Sequence, residues 1–425
     1  MATTLDPATE PTAPLSRRQA WKAPARPEWV QRLNDEGAGL DLYGVVPLDP
    51  ASLIASATRN TGLSNFGSPD WREPFERLVA SLDGEAQLNL VGRLMTRSDL
   101  LMMLEARLRV EELYRQHPEI ESEKIEAPIW VLGQGRTGTT LLQTLLSLDP
   151  ENRTLSICEA MFPVDSAAHF AAADHRIRMW NRVTPQVESV HEFAGHEAIE
   201  TIMIESCAFQ QPAWLNLLGL SPSYTAAMGP ENLSNALEYG KRILKAIQWQ
   251  NPGKRWVLKS PDSVRYVPLV LQCYPDARLV WAHRDPVKAM ASAVNMIGTL
   301  TYVRSDQKVS EGMFDAITDP AMTAASLEQP IGWIEQGVIP KAHLFNLQYD
   351  TLMRDPVAAI AEAYAYFGLK LGEPARAAIT AHLAANPRES RPEHRYDQGE
   401  AGRIAQERTL FDRYERYFGV PREIA

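Results

Sequence analysis

Cysteine is scarce in this chain: three thiols among 425 residues, Cys158, Cys207 and Cys273, with no C-x-x-C pair. That excludes a disulfide framework and predicts buried free thiols. Long apolar runs are missing too. No stretch approaches the roughly 18 apolar residues of a membrane span, and MATTLDPATEPTAPLSRRQAWKAPARP at the start has no apolar signal-peptide core; the expectation is a cytoplasmic protein. Basic residues are the minority, 43 Lys and Arg against 53 Asp and Glu, for a formal charge of −10. A net negative surface opposes nucleic-acid binding, but it does not prevent a local cluster of arginines from gripping a small anion. No H-x-x-x-H or comparable ligand cluster is present, so no metal is expected.

What is present is a chain that is 45% hydrophobic and 23% charged, enough to bury a large core. Length alone leaves open several packed units or one large α/β domain with a helical extension. Residues 1–28, rich in Pro, Ala and Thr, read as a flexible tail. The region 29–125 reads as helical, with Leu53, Ile54 and Ala57 on one face and Leu101, Leu104 and Leu108 at helical spacing. From 126 to 425 the pattern alternates. Strands are predicted at Pro-Ile-Trp-Val-Leu from 128, at 255–259, 278–283 and 343–348, and helices near 263–273, 286–297 and 356–367. A helical insertion spans about 165–250. Alternation of this kind predicts an α/β fold with a parallel sheet flanked by helices.

Between the first strand and its helix lies Gly133-Gln-Gly-Arg-Thr-Gly-Thr-Thr140. A glycine turn opening a helix presents free N–H groups and the positive end of the helix dipole, a setting for a phosphate. The segment follows the nucleotide P-loop pattern, except that Thr139 stands where G-x-x-x-x-G-K-[ST] requires lysine. Arg136 supplies a cation inside the loop instead. A second candidate anchor is 278-RLVWAHRDPVKAMASAV-294. Here Arg284 ends a strand and Ser292 follows eight residues later, under two turns into a helix that begins at Pro286, so both can converge on one anion.

Arg136-Thr-Gly-Thr-Thr140 after this strand resembles the 5′-phosphosulfate loop of sulfotransferases that use 3′-phosphoadenosine 5′-phosphosulfate (PAPS). The segment with Arg284 and Ser292 is similar to the same family's 3′-phosphate motif. The resemblance extends over about residues 128–420, and 345-FNLQYDTLMRDP-356 and the helical lead-in also look like the broad bacterial group of that family. It implies a P-loop-type fold, PAPS as co-substrate, and nucleotide contacts from Arg136, Thr137, Gly138, Thr139, Thr140, Arg284 and Ser292. Lys259 matches the family's catalytic lysine, which neutralises charge on the oxygen bridging phosphate and sulfuryl groups. The acceptor is expected to be a hydroxyl, or an amine, on a small molecule, glycan or lipid.

Relatives often carry a histidine shortly after this lysine, whereas Lys259-Ser-Pro-Asp-Ser263 has none, so a carboxylate is the expected base. Glu159 is the first candidate, by similarity to the glutamate of protein tyrosyl sulfotransferases. The second is His196 with Glu197, with Glu200 expected beside His196 on one helix face. Trp130 and Trp281 are expected in the core, and Trp180 or Trp214 in an acceptor pocket. Arg388, Arg391, His394 and Arg395 form a loose match to a basic segment near the 3′-phosphate. Two alternatives remain at this point: a P-loop kinase of small alcohols, and a non-catalytic PAPS-binding or PAP-binding protein, PAP being adenosine 3′,5′-bisphosphate.

Overall fold

Five short strands, the middle three almost fully buried, form the centre of the computed structural model, which describes residues 21–186, 194–307, 318–387 and 401–424. They are β1 (Ile129–Leu132), β2 (Asn152–Thr154), β3 (Arg255–Lys259), β4 (Arg278–His283) and β5 (Leu344–Gln348), all parallel, in the order β2-β3-β1-β4-β5. Four coincide with apolar runs in the sequence. The fifth, β2, is three polar-to-neutral residues long and carries no apolar signature. Alternating side chains serve two cores: Trp130, Leu258, Leu279 and Trp281 face one side, and Ile129, Val131, Val257 and Val280 the other.

The first face is covered by the N-terminal helices α1 (Pro50–Thr61), α2 (Arg72–Gly84) and α3 (Leu90–Gln116), whose Leu53, Phe75 and Leu104 belong to the same continuous core. The second is covered by α4 (Thr139–Ser147), which follows β1, and by later helices that include Pro356–Tyr366 and Glu373–Ala385. Between β2 and β3 lie α5 (Ser166–Val183) and α6 (Pro230–Gln250), and after β4 comes α7 (Pro286–Tyr302). Asp285 caps α7 by accepting from the N–H groups of Val287 and Lys288, satisfying donors that a helix start leaves free. The last described helix, α8 (Ala401–Phe418), lies against α7 and buries Phe411 and Tyr414.

Residues 21–26, assigned by composition to the tail, dock onto the end of α7. Trp21 meets Tyr302 edge to face, and Arg26 donates to the Tyr302 carbonyl at 2.7 Å. On the other side of this segment α3 comes so close that a Cβ at Gly92 would lie 1.9 Å from the Arg304 carbonyl oxygen. Only glycine permits that approach.

All three cysteines are free and buried. Burial pushes the Cys158 thiol up to about 11 and the Cys207 thiol up to about 12. Trp130 and Trp281 are fully buried. Among the described residues no helix is long and apolar enough to cross a membrane.

Candidate active site

The strand order places β1 between β3 and β4, so the loops leaving the C-terminal ends of these three strands meet at a switch point, where open α/β sheets form ligand crevices. The loop after β1 is built around backbone that side chains resist. Gly133 and Gly138 have φ of 148° and 86°, and a Cβ at Gly133 would lie 2.5 Å from the Ala282 carbonyl oxygen. Arg136 itself has φ of 74°, a conformation that costs a non-glycine residue on the order of 1 kcal/mol or more. Contacts on both sides of the residue hold it there.

Those contacts come from the second anchor. Arg284 Nη1 donates to the Arg136 carbonyl at 2.9 Å, and Arg136 Nε donates to Ser292 Oγ at 2.9 Å. Arg284 and Ser292 thus bracket Arg136 from the strand tip and from α7. Lys259, at the end of β3 and with no exposed surface, donates to Thr140 Oγ1 at 3.1 Å and pairs with Glu200 at 3.3 Å. Thr137 turns inward, its hydroxyl donating to the Gln134 carbonyl at 2.7 Å to close the loop. Thr139 and Thr140 stand at the start of α4 and line the adjacent cavity.

That cavity has a volume of about 470 Å³, within the usual range of small-molecule sites. Arg136, Thr139, Thr140 and Glu200 line it, and Asp262, Arg265 and Arg304 line it as well. Trp180, Trp214, Met296, Leu300 and Leu327 give it long apolar walls. Trp180 and Trp214, either of which was expected at an acceptor pocket, both line this cavity.

The two proposed bases are placed elsewhere. Glu159 completes a capping box with Ser156 at the start of the short helix Ile157–Met161 and pairs with Arg153 at 2.9 Å; it is not on the cavity wall. His196 is exposed and pairs with Glu197. Nor does a helix carry His196 and Glu200. The segment runs antiparallel to residues 155–158, with Cys158 N–H donating to the Gly195 carbonyl, Ile157 N–H to Glu197 and Ile199 N–H to Leu155. This backbone pairing overrides the i, i+4 pattern, and Glu200 is the carboxylate that reaches Lys259. Asp262 also lines the cavity, paired with Arg265, in the stretch after Lys259 where the absent histidine was noted.

One functional neighbour has no signal in the sequence. Glu423, 139 positions beyond Arg284, accepts from its Nε at 2.6 Å and its Nη2 at 2.8 Å. It is held there because the Glu423 backbone N–H donates to Asp285 at 2.7 Å, and Asp285 is clamped in turn by Arg408. Burial works to raise the Asp285 carboxyl, but these donors outweigh it and hold the group below its ordinary range. Next to it, burial drives His283 down to about 3, so the ring is neutral between Tyr414 and Asn346. Arg388, Arg391, His394 and Arg395 lie outside the described residues.

Comparison with known proteins identifies the family and the fold. The profile of the sulfotransferase family matches residues 128–373. The omega-hydroxy-beta-dihydromenaquinone-9 sulfotransferase Stf3 of Mycobacterium bovis is 23% identical over 262 residues, 57% of this chain and 63% of the relative, so the match leaves more than a third of that protein uncovered. The crystal structure of sulfotransferase STF1 from Mycobacterium tuberculosis superposes with a TM-score of 0.67 at 26% identity, covering 85% of this chain and 97% of that one. Sulfotransferase STF9 from Mycobacterium avium gives a TM-score of 0.71 at 24% identity over 89% and 98% of the two chains, a likeness of fold.

Proposed function

The chain belongs to the sulfotransferase family, and we propose that it transfers a sulfuryl group from PAPS to a hydroxyl carried by an apolar, lipid-like acceptor, releasing PAP. The observation that carries this reading is the meeting of Arg136, Arg284, Ser292 and Lys259 at adjacent strand ends, linked by contacts of 2.9 to 3.1 Å through the loop. Two cationic anchors in one crevice suit a nucleoside with phosphates at two positions. In this reading the α4 N-terminus, with Arg136, Thr139 and Thr140, holds the 5′-phosphosulfate, and Arg284 and Ser292 hold the 3′-phosphate.

The acceptor oxygen attacks sulfur as the bond from sulfur to the bridging oxygen breaks, and that oxygen keeps the electron pair as part of PAP. Lys259 is buried beside Thr140, placed to stabilise the charge growing on the bridging oxygen. Glu200, on the cavity wall and 3.3 Å from Lys259, takes the hydroxyl proton. It replaces Glu159 and His196 in that role. The apolar walls favour an acceptor with a greasy body, in keeping with the terminal hydroxyl named for the menaquinone-acting relative.

The kinase alternative meets Thr139 at the position where triphosphate grip requires lysine. Titration calorimetry with PAP and with ATP separates the two readings, PAP binding and ATP failing on the present one. Incubation with labelled PAPS and a lipid extract then tests transfer. An Arg136→Ala variant that labels product as fast as wild type would refute the role of the loop.

A further inference from the structure

We infer that Trp180 and Trp214 gauge the length of the acceptor's tail. This rests on the apolar-acceptor reading above. Directly behind the main cavity lies a second one of about 20 Å³, and the two share Trp180, Ile199 and Trp214 as a common wall. The far side of the small cavity is made chiefly of methionines, Met102, Met103, Met161 and Met203. Its volume is little more than one water needs, and apolar walls keep such a space dry.

The partition is stiff on one edge and soft behind. Trp180 sits under the Arg304 guanidinium, 5.1 Å from its ring. Arg304 is fixed by Asp99 at 2.5 Å and Thr96 at 3.1 Å, and Asp99 is held again by Arg176 at 2.8 Å. Methionine, unbranched and polarisable, repacks readily, so the space behind can enlarge once the tryptophan wall is breached. Ser292 contacts Arg136, and Leu300, eight residues further along α7, lines the cavity; the separation is about 12 Å at the helical rise, so roughly ten carbons of an extended chain fit along this side of the cavity.

Acceptors are therefore hydrophobic primary alcohols whose tails end against the tryptophan wall. The test is equilibrium dialysis of labelled n-alkanols from hexanol to tetradecanol against the PAP-bound protein. Wild-type affinity is expected to rise roughly three- to four-fold per methylene and to flatten near decanol. In Trp180→Leu and in Trp214→Leu the flattening moves at least two carbons longer, and adding Met203→Phe to the second variant, which fills the space from behind, moves it back. Retained PAP affinity in the same samples certifies that each variant is folded. A break that stays at one length in both variants, or an absence of alkanol binding, would overturn the gauge. Absence of PAP binding by the wild type would instead overturn the sulfotransfer reading on which it rests.

Discussion

Replacing Glu423 by glutamine removes a negative charge that occupies Arg284, the residue assigned to the nucleotide's 3′-phosphate. Glu423 engages both Nε and Nη2 of that guanidinium, so a phosphate must displace it to form a bidentate contact. Breaking a partly exposed ion pair costs up to about 1 kcal/mol. A displaced carboxylate left about 6 Å from a phosphate dianion adds roughly 1.4 kcal/mol of repulsion at the dielectric of water, less in salt. Together these correspond to PAP binding about ten- to fifty-fold tighter in Glu423→Gln than in wild type. Calorimetric titration with PAP at low and high salt measures the effect, and adenosine 5′-monophosphate, which lacks the 3′-phosphate, is the control and should bind both proteins equally. PAP binding that is unchanged or weaker in the variant, or a gain shared equally by adenosine 5′-monophosphate, would refute the reasoning.

Three further outcomes are expected. Glu200→Gln should lower kcat by about 10² or more, the usual contribution of a general base, while Glu159→Gln, whose amide oxygen keeps the capping box, should leave kcat near wild type and cost up to about 1 kcal/mol of stability through the lost pair with Arg153; steady-state rates paired with urea melts separate the two. His283, held near 3 in the fold against about 6.5 unfolded, binds a proton only on unfolding between those values. Stability is therefore present above about pH 6.5 and lost as pH falls toward 3, by up to about 1.4 kcal/mol per pH unit, and His283→Gln, which can keep partners in Tyr414 and Asn346, should flatten this limb in urea titrations from pH 7 to 4.5. Arg408→Met leaves Asp285 buried without its cation and Glu415 with Arg422 alone and should cost about 3–5 kcal/mol, read as a fall in the urea midpoint; a change below 1 kcal/mol would count against the clamp.

Much of the framework was legible because it is local. β1, β3 and β4 are apolar runs ended by glycine, serine and arginine, β5 is a shorter run that ends at Tyr349, and a strand running straight into a glycine turn and a helix suits an anion through backbone geometry alone. β2 escaped because three residues, Asn152–Thr154, carry too little periodicity to register. Arg136, Lys259 and Arg284 could be nominated together because each sits at or just beyond a strand end, where a parallel sheet gathers its loops, and Ser292 because it lies under two turns into the helix that follows Arg284. The sequence puts Glu159 first, and nothing in it separates Glu159 from Glu200. Both are glutamates in mixed sequence, and only the pairing of residues 195–199 with 155–158 turns one toward Lys259 while a serine cap retains the other.

The amino-acid order alone determined the alternating α/β pattern, the phosphate-ready loop with arginine in place of lysine, and the cations at the strand tips, since these follow from side-chain period and backbone freedom within a few residues. Tertiary structure decided which carboxylate faces Lys259, that Glu423 covers Arg284 from 139 positions away, and that tryptophans from α5 and from the segment before α6 close one cavity against another. Such contacts depend on how distant segments pack, and packing selects its partners in space by shape and charge, leaving no fixed spacing along the chain.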